Sequence, residues 1–165
     1  MNAFYNSKKD RFLASIPRAS IELESDNLTI KCKFNFAYFT KQAAGQSFEE
    51  WDKLQLTKFL DKLKDYSQQP LVHWMSQRIG NKNGRVLSLY DEFPKHSEFT
   101  HPDHVPHQAR WGRFRLESAA RLIGFVLPGT FADKAHPKTG VRFDCNTFYV
   151  VFLDANHKFY KTETK

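Results

Sequence analysis

The run TFYVVFLD, residues 147–154, constrains this chain more than any other stretch. It is apolar at almost every position, and a strand of that kind belongs in the middle of a sheet. Two further strand-like runs precede it, RWGRFRL at 110–116 and RLIGFVL at 121–127. The short link ESAA between them predicts a hairpin. The C-terminal half is therefore expected to form a β-meander.

Upstream, LTIKCKFNFAYF sets Leu28, Ile30, Cys32, Phe34, Phe36 and Tyr38 at alternate positions, with Thr29, Lys31, Lys33 and Asn35 between them. This predicts a strand with one buried face. SFEE then reads as a capping box, Ser47 as N-cap and Glu50 three residues on. The helix it opens carries Trp51, Leu54, Phe59, Leu60, Leu63 and Tyr66 at helical spacing and stops before Pro70. LVHWMSQRI predicts a second, short helix, GNKNG a loop, and RVLSLYDEF a further strand or a buried turn. Residues 1–25 are polar and basic, broken by Pro17, and read as an N-terminal extension with a short strand at SIELES. Residues 26–165 read as one domain. The order is strand, two helices, then antiparallel meander, which defines an α+β domain with the helices packed on one sheet face.

The formal charge is +7 and the pI about 9.4, a balance that favours RNA, DNA, a membrane surface or an acidic protein as partner. The N-terminus has charges where a signal peptide needs an apolar run. No apolar segment approaches the roughly 20 residues that span a bilayer. A cytoplasmic protein without membrane contact is expected. Cys32 and Cys145 form no CxxC motif and read as buried thiols.

Positive charge concentrates in the hairpin. Arg110, Arg113, Arg115 and Arg121 are answered there by a single acid, Glu117. Alternation sends Trp111, Arg113 and Arg115 to one face and Phe114 and Leu116 to the other, toward the helices. Parity across a four-residue link would put Arg121 on the core side at the rim, whereas a bulge would return it to the arginine face. Gly112 and Gly124 lack side chains and leave room for something to approach the sheet. The face is either an ordinary solvated surface paired with Glu117 and other acids, or a phosphate-binding surface with Trp111 stacking a base.

The residues RFRLESAARLIGFV and TFYVVFLDANHKFY, placed after a strand and helices, resemble the RelE/ParE superfamily of bacterial toxins. The similarity spans residues 28–66 and 110–160 and is one of architecture more than identity. The N-terminal extension, the loop at 94–108 and the excursion at 128–146 are additions to it. Family members carry an arginine at the head of an apolar strand, here Arg121. Their last strand ends in a polar or basic segment, here NHKFY. The resemblance implies a RelE-like endoribonuclease toxin of a bacterial toxin–antitoxin or phage-defence system, cutting messenger RNA, in some members on the ribosome, and held by an acidic antitoxin. Other members act on gyrase or have no known activity. The alternatives are a non-enzymatic RNA- or DNA-binding module and a protein-binding component of a defence system.

Metal-free RNA cleavage needs a base for the 2′-hydroxyl, an acid for the leaving oxygen and cations around the phosphate. His157 suits either proton role. Tyr160 can donate a proton or stack a base, and Arg121 is the clamp. Arg110, Trp111, Arg113, Arg115 and Lys158 are the expected RNA- and phosphate-binding set. A second cluster, KHSEFTHPDHVPHQ, holds His96, His101, His104 and His107. Pro102 and Pro106 extend this segment, spacing the rings of the last three by roughly 9 Å. No metal site and no cofactor are expected.

Overall fold

The computed structural model describes residues 6–16, 21, 28–80, 84–117 and 119–161. The expected SIELES strand, the middle of the GNKNG loop (81–83) and Ser118 in the ESAA link lie outside the described residues, apart from Ile21 in a turn. The chain divides into two compact units, Met1–Ile30 and Lys31–Lys165. In the first, helix α1 spans Ser7–Ser15, opened by the Asn6 side chain, which accepts from the Lys9 N–H at 3.1 Å. No sustained period in the sequence predicts that helix.

The second unit is an α+β domain. Strands β4 (Leu87–Leu89), β5 (Arg110–Arg115), β6 (Arg121–Val126) and β7 (Thr147–Asp154) form an antiparallel meander. RVLSLYDEF thus supplies a fourth meander strand. Strand β1, Lys33–Asn35, runs parallel to β7. The result is a mixed five-stranded sheet of order β1-β7-β6-β5-β4, with the apolar run of β7 in its interior. Between Ile123 and Gly124 the β6–β7 register shifts by a bulge, which leaves Val151 as the extra residue of β7.

The six alternations at 28–38 produce only a three-residue strand. Cys32 is buried, but Leu28 and Ile30 remain 52% and 49% exposed. Side-chain alternation needs a partner edge to become a strand, and β7 begins only at Thr147, opposite Lys33. The Asn35 side chain then accepts the Ala37 N–H at 2.9 Å and turns the chain away.

The capping box also acts differently from expectation. The Glu50 carboxylate accepts the Ser47 N–H at 2.6 Å, but the box opens only a single 3-10 turn, Phe48–Glu50. Trp51 is extended, and a second box, Asp52 with Gln55, starts helix α2 at Lys53–Tyr66. Helix α3, Leu71–Ser76, comes directly after Pro70, and β2 (Arg78–Ile79) and β3 (Gly84–Arg85) form a small ribbon beyond it.

Both sheet faces are covered. On the helix side Phe59, Tyr66 and Leu71 pack against Phe114, Leu122, Phe148, Val150 and Leu153. Gly112 and Gly124 face this side as a directly opposed pair. The room they leave is already taken: a Cβ on Gly124 would lie 2.1 Å from the Tyr149 carbonyl oxygen and 2.7 Å from the Phe148 ring. The expected approach path for a ligand is closed.

The other face is not the open sheet that alternation suggested. Phe99, Val105 and Ala109 of the His- and Pro-rich segment, with Phe159 of the tail, bury Trp111, Ile123, Phe125, Val151 and Phe152. His101 packs against Phe93 and Trp111 at ring distances of 5.4 Å, and His104 stacks near Tyr38 at 6.0 Å. This segment is a packed cover. Among the described residues, no group of three or more His, Cys, Asp or Glu is placed to share an ion.

Candidate functional site

The cover leaves one end of this second face polar, where β5, β6 and β7 bring their charged residues together. Leu116 donates its N–H to the Ala120 carbonyl at 3.1 Å, so Ala120 belongs to the ladder. The turn is thereby one residue shorter than the link ESAA suggests, and its parity changes. Arg115 and Arg121 stand directly opposite each other, on the face that also carries Arg113. No bulge between β5 and β6 is needed.

Arg121 also pairs in register with Asp154 at the end of β7. The Asp154 carboxylate, 2% exposed, accepts three backbone N–H groups. These come from Asn156 at 3.1 Å, Lys158 at 3.0 Å and Phe159 at 2.8 Å. Aspartate bonds of this kind to its own downstream backbone wind the chain into a tight turn. Within that turn His157 adopts a φ of 56°, a left-handed conformation uncommon outside glycine and asparagine. Backbone strain held by surrounding bonds is a frequent mark of functional positions.

The turn aims the imidazole at the guanidinium. Arg121 Nη2 lies 2.9 Å from His157 Nε2, while its Nη1 donates to the Ala120 carbonyl at 2.7 Å. Arg121 is 6% exposed. Its pKa is pushed down to about 10, first by burial and then by the charges of Arg115 and Arg113, so it stays protonated at neutral pH. Burial, then Arg121 and Arg113, also hold the His157 imidazole below its usual range. A neutral ring that takes a hydrogen bond at Nε2 carries its proton on Nδ1.

Beside this pair, Tyr90 and Tyr160 stack at 4.7 Å and 12°, and the Arg113 guanidinium lies 6.0 Å from both rings. Among the described residues, no carboxylate forms an ion pair with Arg113 or Arg115. Glu117, the acid that stood nearest in sequence, pairs instead with Lys58 of α2 at 3.2 Å. The cluster thus gathers three guanidiniums, one imidazole and two phenols beside the carboxylate of Asp154. Such an arrangement stabilises an incoming oxyanion, above all a phosphate.

The structure brings together His157, Arg121, Tyr160, Arg113 and Arg115. Other expected binding residues stand apart. Trp111 is 1% exposed and packed among aromatic rings, so its indole offers no surface to a base. Arg110 reaches Asp91 at 3.4 Å, and Lys158 pairs with Glu98, which Lys161 also contacts at 2.6 Å. Two contributors are absent from the set that the sequence predicts. Asp154 is visible there as the first residue of DANH, a turn-forming tetrad, whereas nothing local in SLYDEF marks Tyr90.

The His157 setting predicts a pH dependence of stability. Its folded pKa is depressed below the value of about 6.5 expected in the unfolded chain. Its contribution is therefore present above about pH 6.5 and is lost as the pH falls through the folded value. Thermal unfolding should show a larger drop in melting temperature between pH 7.5 and pH 5, values bracketing about 6.5, for the parent than for a His157→Asn variant. Equal drops would mean that the imidazole does not feel the arginines.

No known family model, curated protein or solved structure matches this chain. Among the described residues, no helix is long and apolar enough to cross a membrane.

Proposed function

We propose that this protein is a metal-independent endoribonuclease of the toxin-like kind, acting on single-stranded RNA in a bacterial toxin–antitoxin or phage-defence system. The observation that carries this reading is the Arg121–His157 contact of 2.9 Å within a cluster of three arginines. The resemblance to RelE/ParE toxins agrees with it. Messenger RNA on the ribosome as substrate and an acidic antitoxin as partner derive from that resemblance, and a substrate of that kind sets the protein in the cytoplasm.

In the proposed reaction a phosphodiester enters the cluster and draws the Arg121 guanidinium onto a non-bridging oxygen. This frees the Nε2 lone pair of His157, which removes the proton from the 2′-hydroxyl. The 2′-oxygen bonds to phosphorus, the bond to the 5′-oxygen breaks, and Tyr160 supplies the proton to that leaving oxygen. The products are a 2′,3′-cyclic phosphate and a 5′-hydroxyl. Arg113 and Arg115 hold the charge that builds on the phosphate.

Single-strand RNA binding should weaken by about 0.7 log units per log unit of salt for each phosphate engaged. Arg113→Ala with Arg115→Ala should flatten that slope. Binding titrations over a salt series measure this. An unchanged slope in the double variant would make the face a solvated surface. Salt-sensitive binding by a parent that cuts nothing would point to a binding module.

A further inference from the structure

Tyr90 is not used in the proposed cleavage, yet it belongs to the same cluster. It lies just past β4, where its backbone N–H donates to the Trp111 carbonyl at 2.7 Å. Its ring is fixed by stacking on Tyr160 and by contact with Phe159 at 6.3 Å. The hydroxyl oxygen is buried and has no hydrogen-bond partner among the described residues. Burying a hydroxyl without a partner is costly, and such groups in folded proteins call for an explanation. Burial raises the Tyr90 pKa against the pull of Arg113 and Arg121, so the hydroxyl keeps its proton. The Arg113 guanidinium lies 6.0 Å from the same ring.

We propose that the Tyr90 hydroxyl donates a hydrogen bond to a phosphate oxygen held by Arg113 and Arg121, as an oxyanion-binding residue of the site. The inference rests on the nucleic-acid reading for the identity of the phosphate's owner, though not for the existence of the anion site. Two features support it. The oxygen has no partner among the described residues, so a ligand gains a partner that none of them loses. The stacked ring also gives the hydroxyl little freedom to lose on binding.

Inorganic phosphate is the probe. Its affinity is measured by titration well below the melting transition, and single-stranded RNA cleavage is measured in parallel. Tyr90→Phe keeps the ring and its stack. It should weaken phosphate binding about tenfold, the loss of one hydrogen bond to a charged group, and leave the melting temperature without phosphate unchanged or higher. Arg113→Ala should weaken phosphate binding as well. Equal phosphate affinity in parent and Tyr90→Phe would overturn the inference. So would a parent that binds no phosphate, or a Tyr90→Phe protein that melts lower while binding phosphate as the parent does. If Tyr90→Phe loses phosphate affinity but the parent cuts no RNA, the ribonuclease reading fails and the oxyanion role of Tyr90 stands.

Discussion

Replacing His157 by asparagine is expected to slow RNA cleavage by about two orders of magnitude or more, the usual contribution of a positioned general base. Asparagine tolerates the left-handed backbone that His157 occupies at φ 56°, so the turn should survive the change. Arg113 and Arg115 are untouched, so RNA affinity should stay within about twofold of the parent, since phosphate contacts dominate it. The pH profile separates proton transfer from simple packing. In the parent, kcat/KM should rise with pH through a value below the ordinary imidazole range, because burial and the neighbouring arginines favour the neutral ring. The variant should lack that limb. Equal cleavage by His157→Asn, with an inactive Arg121→Ala, would transfer the chemistry to the arginines alone.

The largest stability effect is expected at Asp154. Its carboxylate accepts the N–H groups of Asn156, Lys158 and Phe159 from a position 2% exposed. Asp154→Ala leaves these donors without their acceptor, at about 1 kcal/mol or more each, so a loss of about 3 to 5 kcal/mol is expected. That is a large share of the 5–15 kcal/mol, roughly, by which a domain is stable. Denaturant unfolding should show the midpoint falling with little change in slope. Cleavage should fall too, because the turn that holds His157 near Arg121 would loosen, and misplacement by about 1 Å can cost roughly a hundredfold. Asp154→Asn keeps one acceptor oxygen and should lie between parent and Asp154→Ala. A midpoint unchanged in Asp154→Ala would show that the turn is held by Phe159, fully buried beneath it, and not by the carboxylate.

Stability and site meet in these two positions. Asp154 ends β7, buried at every position but Tyr149, and the bonds it accepts carry that rigidity into a turn on the surface. Phe159 anchors the far side of the turn in the second core. His157 and Tyr160 are thereby presented at the sheet end by a strand, a carboxylate and a buried ring. This is why an exposed residue in a short tail can be positioned as firmly as one in the core.

Much of the framework was legible in the chain itself. The apolar run of β7 marked an interior strand, and alternation in RWGRFRL assigned Arg113 and Arg115 to one face and Phe114 to the helix side. The apolar spacing of α2 and the break at Pro70 marked the helices. These are local properties: side chains repeat every two residues in a strand and every 3.6 in a helix, whatever lies around them. What depended on partners distant in sequence was decided by the tertiary structure. β1 is three residues long because β7 begins opposite Lys33 and the Asn35 turn leads the chain away, and Arg121 joins the arginine face because Ala120 enters the ladder. Residues 90–109 cover the second face and bury Trp111, an outcome that no period within that segment announces. Tyr90 reaches Arg113 and Tyr160 only when β4 pairs with β5 and the tail folds back. Hydrogen-bond register and loop closure choose which residues meet, and both are settled between strands, where no single stretch of sequence holds the information.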